Sequence, residues 1–206
     1  MKLVLIGGGG HCKSILDCVR RIDKKADVLI VDPAIPEGSV IMGAGAAGGD
    51  KMLGELYEKG YRNAFISTGS IKSTALRRKL YKKAADIGYD FPVIADPSAV
   101  VSEYAVIGQG AFIGKNAVIN ADSHIGSHAI INTGSIIEHE CVIREFSHVA
   151  VGARLCGQVR IGSDSFIGAG TTVIQGIKIG DQAIIGAGSV VLRDVKDGEK
   201  VWGLVR

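Results

Sequence analysis

Aliphatic residues recur at every sixth position through the second half of the chain. From Val101 to Val191, sixteen consecutive positions at this spacing hold Val, Ile or Leu without a slip. The position two residues before each of them is small, with Val159 and Ile177 as the exceptions. An α-helix repeats near 3.6 residues and a simple strand repeats at two, so neither explains a period of six.

A six-residue period is typical of a left-handed parallel β-helix with three flat sides. Each repeat forms one side and one corner, about eighteen residues close a turn, and the sixteen repeats predict about five coils. The aliphatic residue points inward and the small residue fills the corner. Glycine often follows the aliphatic residue, and we expect it to permit the backbone turn. These glycines are Gly108, Gly114, Gly126, Gly162, Gly168, Gly180 and Gly186.

The first 94 residues follow a different pattern, in which short apolar runs alternate with segments of helical spacing. The predicted elements are strands at 3–6, 28–31 and 64–67, helices at 15–22 and 73–87, and a Gly/Ala-rich loop at 43–49. Strands that alternate with helices indicate a small parallel α/β unit. We therefore predict a Rossmann-like α/β domain over 1–94 and an all-β, left-handed parallel β-helix domain over 95–206.

Composition excludes several classes of partner. The net charge is only +3, and no Lys/Arg stripe with interleaved aromatic residues accompanies it, so nucleic acid is not expected. No apolar stretch reaches the length of a membrane span or a signal-peptide core. The four cysteines form no CxxC pair. These features predict a reduced, cytoplasmic protein without membrane association.

Motifs in both halves resemble those of one enzyme family. They are the Gly7–His11 run, Asp96-Pro97-Ser98-Ala99, and the stretch from Asn132 to Ala153, which embeds two histidines and a carboxylate in a repeat that does not need them. The whole chain resembles the hexapeptide acyltransferases, in particular the sialic-acid O-acetyltransferase-like and UDP-4-amino-sugar N-acetyltransferase group of the bacillosamine-pathway type. The resemblance implies acetyl-CoA as co-substrate, a UDP-amino-sugar as acceptor, and a homotrimer with active sites between adjacent β-helices.

His139 and His148 occupy repeat positions that face away from the coil interior, so neither is expected to be a core histidine. Acetyl transfer to an amine requires a base, and an imidazole that titrates near neutrality suits that role. A neighbouring carboxylate would fix the imidazole tautomer, and both Glu138 and Glu140 flank His139. The resemblance favours Glu140 as this partner, with His139 as the catalytic base and His148 in contact with the cofactor.

Residues eighteen apart are expected to stack on consecutive coils. Gly157 follows His139 by eighteen residues, so its N–H is a candidate donor to the developing oxyanion. In the resembling enzymes this glycine position contacts the acetyl carbonyl. The same spacing aligns Val151, Ala169 and Ala187 on one ridge. In similar enzymes such a ridge takes the pantetheine arm of the cofactor between two β-helices, although packing alone would also require small residues there.

The glycine run after the first predicted strand opens the first predicted helix, so its N–H groups can bind phosphate. As a dinucleotide fingerprint the run is incomplete, because Cys12 stands where the last glycine would be. A nucleotide-diphospho-sugar suits such a small domain better than NAD does. The positions that match the UDP-binding residues of the resembling enzymes are Gly9, Gly10, His11 and Asp32. Asn132 is expected to reach the sugar from the β-helix.

Neither the cysteines nor the other histidines offer a better mechanism. Cys141 occupies an inward position and Cys156 has no adjacent base, so direct attack is favoured over an acyl-enzyme. Zinc ligands stacked on one side would lie about 18 or 36 residues apart. The histidines at 124, 128, 139 and 148 are separated instead by 4, 11 and 9 residues, and no metal is expected.

The sequence therefore predicts an acetyl-CoA-dependent N-acetyltransferase that acts on the 4-amino group of a UDP-linked amino deoxy sugar. Two alternatives remain open. One is O-acetylation of sialic acid or a related sugar hydroxyl on the same fold. The other is a trimer that binds a nucleotide sugar without turnover.

Overall fold

The computed structural model describes all residues, 1–206, and they form two compact units. The first unit comprises residues 1–69 and 75–94, and the second comprises residues 70–74 and 95–206. The short segment 70–74 thus belongs with the C-terminal part of the chain, although its neighbours in sequence lie in the first unit. None of the helices combines the length and the apolar character that crossing a bilayer would require.

The first unit is built on a five-stranded sheet in the order β3-β4-β2-β1-β5. Its elements are β1 Lys2–Ile6, α1 Gly10–Ile22, β2 Asp27–Val31, β3 Val40–Ile41, β4 Ala44–Ala46, a 3₁₀ turn Asp50–Met52, α2 Leu53–Glu58, β5 Asn63–Ile66 and α3 Ala75–Ile87. All strand pairs are parallel except β3 with β4. Helix α1 is amphipathic and buries Cys12, Ile15, Leu16 and Val19. This is the small α/β fold that the sequence predicts.

The predicted loop at 43–49 is partly wrong, because it contains β4. Strand β4 pairs in parallel with β2, with Gly45 opposite Leu29. A Cβ on Gly45 would stand 3.4 Å from the Leu29 side chain, an ordinary van der Waals distance, so close packing does not require glycine there. Strand pairing uses only backbone groups. A segment of low β propensity can therefore complete the sheet, and its composition does not reveal it.

The second unit is a left-handed parallel β-helix with three faces, as predicted. The first face consists of strands Ile94–Ala95, Phe112–Ile113, Ile130–Ile131, His148–Val149, Phe166–Ile167, Ile184–Ile185 and Lys200–Val201. The second face consists of Val100–Val101, Val118–Ile119, Ile136–Ile137, Arg154–Leu155, Thr172–Val173, Val190–Val191 and Leu204–Val205. The third face consists of Val106–Ile107, His124–Ile125, Val142–Ile143, Arg160–Ile161 and Lys178–Ile179. Strands pair in parallel with those eighteen residues away, as Ile137 does with Ile119 and Leu155.

The inward positions of the repeat form one continuous core. The sixth-position aliphatic residues from Ile113 to Val191 are buried, and the small corner residues such as Ala117 and Ala153 are 0% exposed. Buried corner hydroxyls donate to backbone oxygens, as Ser147 Oγ does to Gly162 O at 2.6 Å. The small polar corner residues therefore fit the interior because their hydroxyl groups are satisfied.

The expected role of the glycines that follow the aliphatic residues is wrong. Positive φ occurs two positions later in the corner, for example at Asn116 (φ 53°) after Gly114 and at His128 (φ 58°) after Gly126. The predicted turn glycines have a different function. A Cβ on Gly114 would stand 2.7 Å from Thr133 N, and one on Gly126 would stand 2.5 Å from Glu145 N. Glycine at this place lets the backbone of one coil approach that of the next.

Candidate active site

His139 and Glu140 form a hydrogen-bonded pair in the corner between the second and third faces, which we call the histidine edge. His139 Nδ1 lies 3.0 Å from Glu140 Oε2. An ionised carboxylate only accepts hydrogen bonds, so Nδ1 carries a proton, and in the neutral imidazole Nε2 is the nitrogen with the lone pair. The hydrogen bond from His139, and then that from Gln158, lower the pKa of Glu140. Of the two carboxylates that flank His139, Glu140 makes this contact.

Gly157 lies one coil further along the histidine edge, over the imidazole of His139. A Cβ on Gly157 would stand 2.6 Å from both His139 Nε2 and Cε1. The next residue donates its N–H to the carbonyl oxygen of His139 at 2.9 Å, which holds the two corners together. No acceptor in the chain receives the Gly157 N–H. The structure therefore brings together the three residues predicted to be catalytic, His139, Glu140 and Gly157.

Gln158 contacts this group and was missed by the sequence analysis. Its Nε2 donates to Glu140 Oε2 at 3.2 Å. The spacing of eighteen residues between Glu140 and Gln158 is the same signal that placed Gly157 over His139. An amide in a corner is otherwise unremarkable, because corners of the coil are rich in exposed polar residues.

His148 is placed differently from expectation. It projects from the first face, but its side chain is only 9% exposed, whereas an open position was predicted. Its Nδ1 lies 3.0 Å from the carbonyl oxygen of Ser70, and its ring packs edge-on against Phe166. Segment 70–74 covers this part of the β-helix and is held again by a hydrogen bond from Thr74 to Asp164. The burial comes from a segment far away in sequence, which no repeat pattern reveals.

Asn132 is held by the same histidine. Asn132 Nδ2 lies 3.2 Å from His148 Nε2, and Asn132 Oδ1 accepts the N–H of Thr133 at 2.8 Å. The Ser70 carbonyl can only accept a hydrogen bond, so His148 carries its proton on Nδ1 and accepts from Asn132 at Nε2. The structure thus joins Asn132 and His148 into one chain of hydrogen bonds that ends on segment 70–74.

The predicted cofactor ridge lies on a different edge of the coil. Ala169 and Ala187 are both exposed, in the corners between the first and second faces, and Val151 is 50% exposed in the same stack. Hydrogen bonds from Gly170 N to Val151 O (2.9 Å) and from Gly188 N to Ala169 O (2.8 Å) align these corners. We call this stack the alanine edge. Within one chain the histidine edge and the alanine edge flank the second face and do not meet.

The glycine loop of the first unit lies at the carboxyl end of β1. Gly9 is the N-cap of α1, and Gly10 and His11 form its first turn. Asp32 accepts hydrogen bonds from Gly8 N at 2.7 Å and from Ala34 N at 2.8 Å, so its carboxylate fixes the loop. The predicted residues Gly9, Gly10, His11 and Asp32 therefore cluster where β1 and β2 end.

A cavity of about 270 Å³ opens beside this loop. It is lined by Gly7, Asp32, Pro33, Thr68 and Lys79, among others. Strand β1 lies between β2 and β5, so the chain connections run in opposite directions from it. Ligands of open α/β sheets bind at such a switch point, outside the carboxyl ends of the strands. The cavity thus lies where open α/β sheets bind their ligands.

The remaining histidines do not assemble into a metal site. His124 is exposed on the third face, whereas His128 is 1% exposed and stacks on Phe146. No group of three or more His, Cys, Asp or Glu side chains has the arrangement of a metal site.

Three family descriptions match this chain. The PglD N-terminal domain matches residues 2–84, the bacterial transferase hexapeptide matches residues 104–139, and the hexapeptide repeat of succinyl-transferase matches residues 158–193. Together they cover both units and agree with the two-domain organisation of the fold.

Solved structures resemble the chain over nearly its whole length. A histidine-to-asparagine variant of perosamine N-acetyltransferase from Caulobacter crescentus, in complex with CoA and GDP-perosamine, is 36% identical with a TM-score of 0.90, over 98% of this chain and 94% of that one. The acetyltransferase domain of PglB from Neisseria gonorrhoeae, in complex with acetyl coenzyme A, is 32% identical with a TM-score of 0.90, over 98% and 96%. WeeI from Acinetobacter baumannii, at 22% identity and a TM-score of 0.86 over 98% and 97%, shares the fold.

The fold, the outward His–Glu pair and these matches define an acetyltransferase of the hexapeptide-repeat class. Within that class, the chain belongs to the family of perosamine N-acetyltransferase and PglB, and its own first unit matches the PglD N-terminal domain. The resemblance inferred from the sequence is confirmed.

Proposed function

We propose that this protein transfers an acetyl group from acetyl-CoA to the 4-amino group of a UDP-linked amino deoxy sugar. The observation that carries the proposal is the orientation of His139: its Nδ1 is engaged by Glu140 and its Nε2 faces Gly157. That orientation leaves a basic nitrogen at an exposed corner, beside an N–H that no group of the chain accepts. Complexes of family members with CoA and with a nucleotide amino sugar support the choice of substrates.

The reaction follows from these groups by direct transfer. The neutral amine of the sugar attacks the thioester carbonyl, and His139 Nε2 takes the proton that the nitrogen loses. Glu140 stabilises the imidazolium that forms, and the Gly157 N–H donates to the oxyanion of the tetrahedral intermediate. When the carbon–sulfur bond breaks, the imidazolium returns the proton to the departing thiolate, so the products are the amide and free CoA.

The donor is proposed to bind between neighbouring copies of the chain. The second face carries exposed apolar side chains, among them Val100 (64%), Val190 (39%) and Leu204 (54%), and it lies between the histidine edge and the alanine edge. A homotrimer that buries this face around its threefold axis would bring the histidine edge of one subunit to the alanine edge of the next. The pantetheine arm would then run along Ala169 and Ala187, with its thioester at His139.

The acceptor's nucleotide is proposed to bind the first unit. Gly9, Gly10 and His11 stand at the N-terminus of α1, where backbone N–H groups favour a diphosphate. Asp32 is proposed to contact the ribose or the nucleobase from the adjoining cavity. Asn132 of the β-helix is proposed to contact the sugar, since its amide is fixed by His148 and Thr133.

A GDP-linked sugar is the alternative to a UDP-linked one, because the perosamine N-acetyltransferase relative binds GDP-perosamine. Release of free CoA from acetyl-CoA is to be measured with UDP-4-amino-sugars, GDP-4-amino-sugars and sialic acid. We expect turnover with a UDP-4-amino-sugar. Turnover only with GDP-linked sugars would overturn the choice of uridine as the nucleoside of the acceptor. Turnover only with sialic acid would overturn the choice of an amine acceptor.

A further inference from the structure

Gln158 contacts the His139–Glu140 pair through both its backbone and its side chain. Its N–H donates to His139 O at 2.9 Å, and its Nε2 donates to Glu140 Oε2 at 3.2 Å. Oε2 is also the atom that accepts from His139 Nδ1. One carboxylate oxygen therefore receives two donors, one from its own corner and one from the corner a coil further along.

We infer that Gln158 is a positioning residue for the acetyl-transfer reaction, which holds the Glu140 carboxylate against His139. The inference rests on the proposed role of His139 as the base. In the hydrogen-bond chain Glu140 and His139 Nδ1 lie between Gln158 and the imidazole nitrogen Nε2, so the role we assign to Gln158 requires no contact with substrate. It would act on the reaction only through the orientation of these two side chains.

Glu140 needs such a restraint. The His139 and Glu140 side chains are 57% and 51% exposed, so packing alone does not fix their rotamers. An exposed pair of this kind gains little energy and gives up side-chain freedom when it forms. A second, neutral donor on the same carboxylate reduces that freedom without neutralising the negative charge that the imidazolium needs.

The corner backbone places Gln158 where this restraint is possible. Glu140 and Gln158 have nearly the same left-handed conformation, with φ of 58° and 63°. Their side chains leave equivalent positions of successive coils, so they project in the same direction and meet. Asp122, one coil before Glu140, has the same conformation (φ 55°) and is an acceptor, and Gly176, one coil after Gln158, has no side chain. Of the two residues one coil from Glu140, Asp122 and Gln158, only Gln158 carries a side-chain donor.

Three other titratable groups occupy this corner or the corners one coil before and after it. Glu138 precedes His139 in the same corner, Asp122 lies one coil before, and the thiol of Cys156 lies one coil after. All three would be anionic when ionised, and none can donate to a carboxylate in that form. The hydrogen bond from Gln158 is one of the two main causes that lower the pKa of Glu140.

The test compares Gln158→Met with Gln182→Met. Gln182 is a matched control, because it is exposed, has φ 56°, and donates its N–H to Ser163 O at 2.8 Å, yet lies in a different corner of the coil. We expect Gln158→Met to lower kcat roughly tenfold, the rate equivalent of one hydrogen bond to a charged group. The KM for acetyl-CoA and the melting temperature should stay near those of the Gln182→Met protein.

A second readout does not depend on turnover. The carboxyl titration of Glu140, followed by NMR, should move to higher pH in Gln158→Met, because a donor to the charged form is lost. Gln158→Glu should move it further, since a like charge replaces the donor. Gln182→Met and Gln182→Glu should leave it unchanged. A Glu140 titration and a kcat that are the same in the Gln158 and Gln182 variants would overturn the inference.

The experiments distinguish the positioning role of Gln158 from the proposed role of His139 as the base. If His139→Ala is inactive while the Gln158 variants behave like the Gln182 variants, only the positioning role is wrong. If His139→Ala keeps full activity, the proposed base is wrong, whatever the Gln158 variants show.

Discussion

A Cβ on Gly157 would stand 2.6 Å from Nε2 of His139, the nitrogen that the hydrogen bond to Glu140 leaves free. The two residues are eighteen apart in sequence and occupy successive corners of one edge. The backbone of Gly157 does not have positive φ, so the turn itself does not require glycine at this position. The absence of a side chain instead leaves room for the imidazole of His139.

Gly157→Ala should therefore displace the imidazole. The new methyl group would overlap Nε2, and the exposed His139 side chain would swing away from Glu140. We expect kcat to fall by about 10²-fold, the cost of misplacing a catalytic group by roughly 1 Å, with little change in melting temperature. Gly54→Ala is the control, since a Cβ on Gly54 meets nothing within 4 Å. Equal activity of the two variants would show that Gly157 does not shape the site.

His148→Ala should remove the hydrogen bonds that hold segment 70–74 and the side chain of Asn132. The Ser70 carbonyl would lose its donor and Asn132 would lose its acceptor, so segment 70–74 and the Asn132 amide would both gain freedom. We expect faster amide hydrogen exchange in residues 70–74 and a decrease of about tenfold in kcat/KM for the sugar acceptor. His124→Ala, on the exposed third face, serves as the control. Unchanged exchange in residues 70–74 would mean that His148 does not hold the segment.

Val190→Glu tests the proposed trimer. Val190 is 39% exposed on the second face, which the trimer would bury. Three carboxylates near a threefold axis would be desolvated without partners, which costs several kcal/mol. Analytical ultracentrifugation should show monomers, and CoA release should be lost with them. His124→Glu on the third face should stay trimeric and active, and a trimeric, active Val190→Glu protein would contradict the arrangement.

The C-terminal coil should show a pH-dependent stability. Glu199 accepts hydrogen bonds from Arg193 and from Lys196 N, and these lower its pKa to about 2. Because the folded pKa lies below the ordinary value of about 4.3, this contribution is present above that value and is lost as the pH falls towards 2. Glu199→Gln should lower the melting temperature at pH 7, and the difference from the unmodified protein should vanish near pH 2. The exposed Glu103→Gln change serves as the control. A difference that persists at pH 2 would contradict the ion pair.

Most of the predicted site followed from the six-residue period. Because the coil repeats every eighteen residues, the spacing alone placed Gly157 over His139 and aligned Ala169 with Ala187. Gln158 obeys the same arithmetic and could have been found by it. The role of the turn glycines was not predictable in this way, since the approach of one backbone to the next depends on the three-dimensional stacking of coils.

Contacts between distant segments left no signal in the sequence. The Ser70–His148 hydrogen bond joins residues 78 apart, and segment 70–74 has no periodic pattern that would bring it to the β-helix. His148 was therefore expected to be open. Strand β4 was missed for a related reason. It pairs with β2 through backbone groups, and its Gly/Ala composition does not predict a strand.

The rate of acetyl transfer by His139→Ala, measured as free CoA release with the best acceptor of the panel, tests the proposed base most directly. Removal of a general base should lower kcat by roughly 10²-fold or more, while the dissociation constant for acetyl-CoA stays nearly unchanged. Full activity of His139→Ala, with acetyl-CoA bound as tightly as before, would show that the proton leaves the amine by another route.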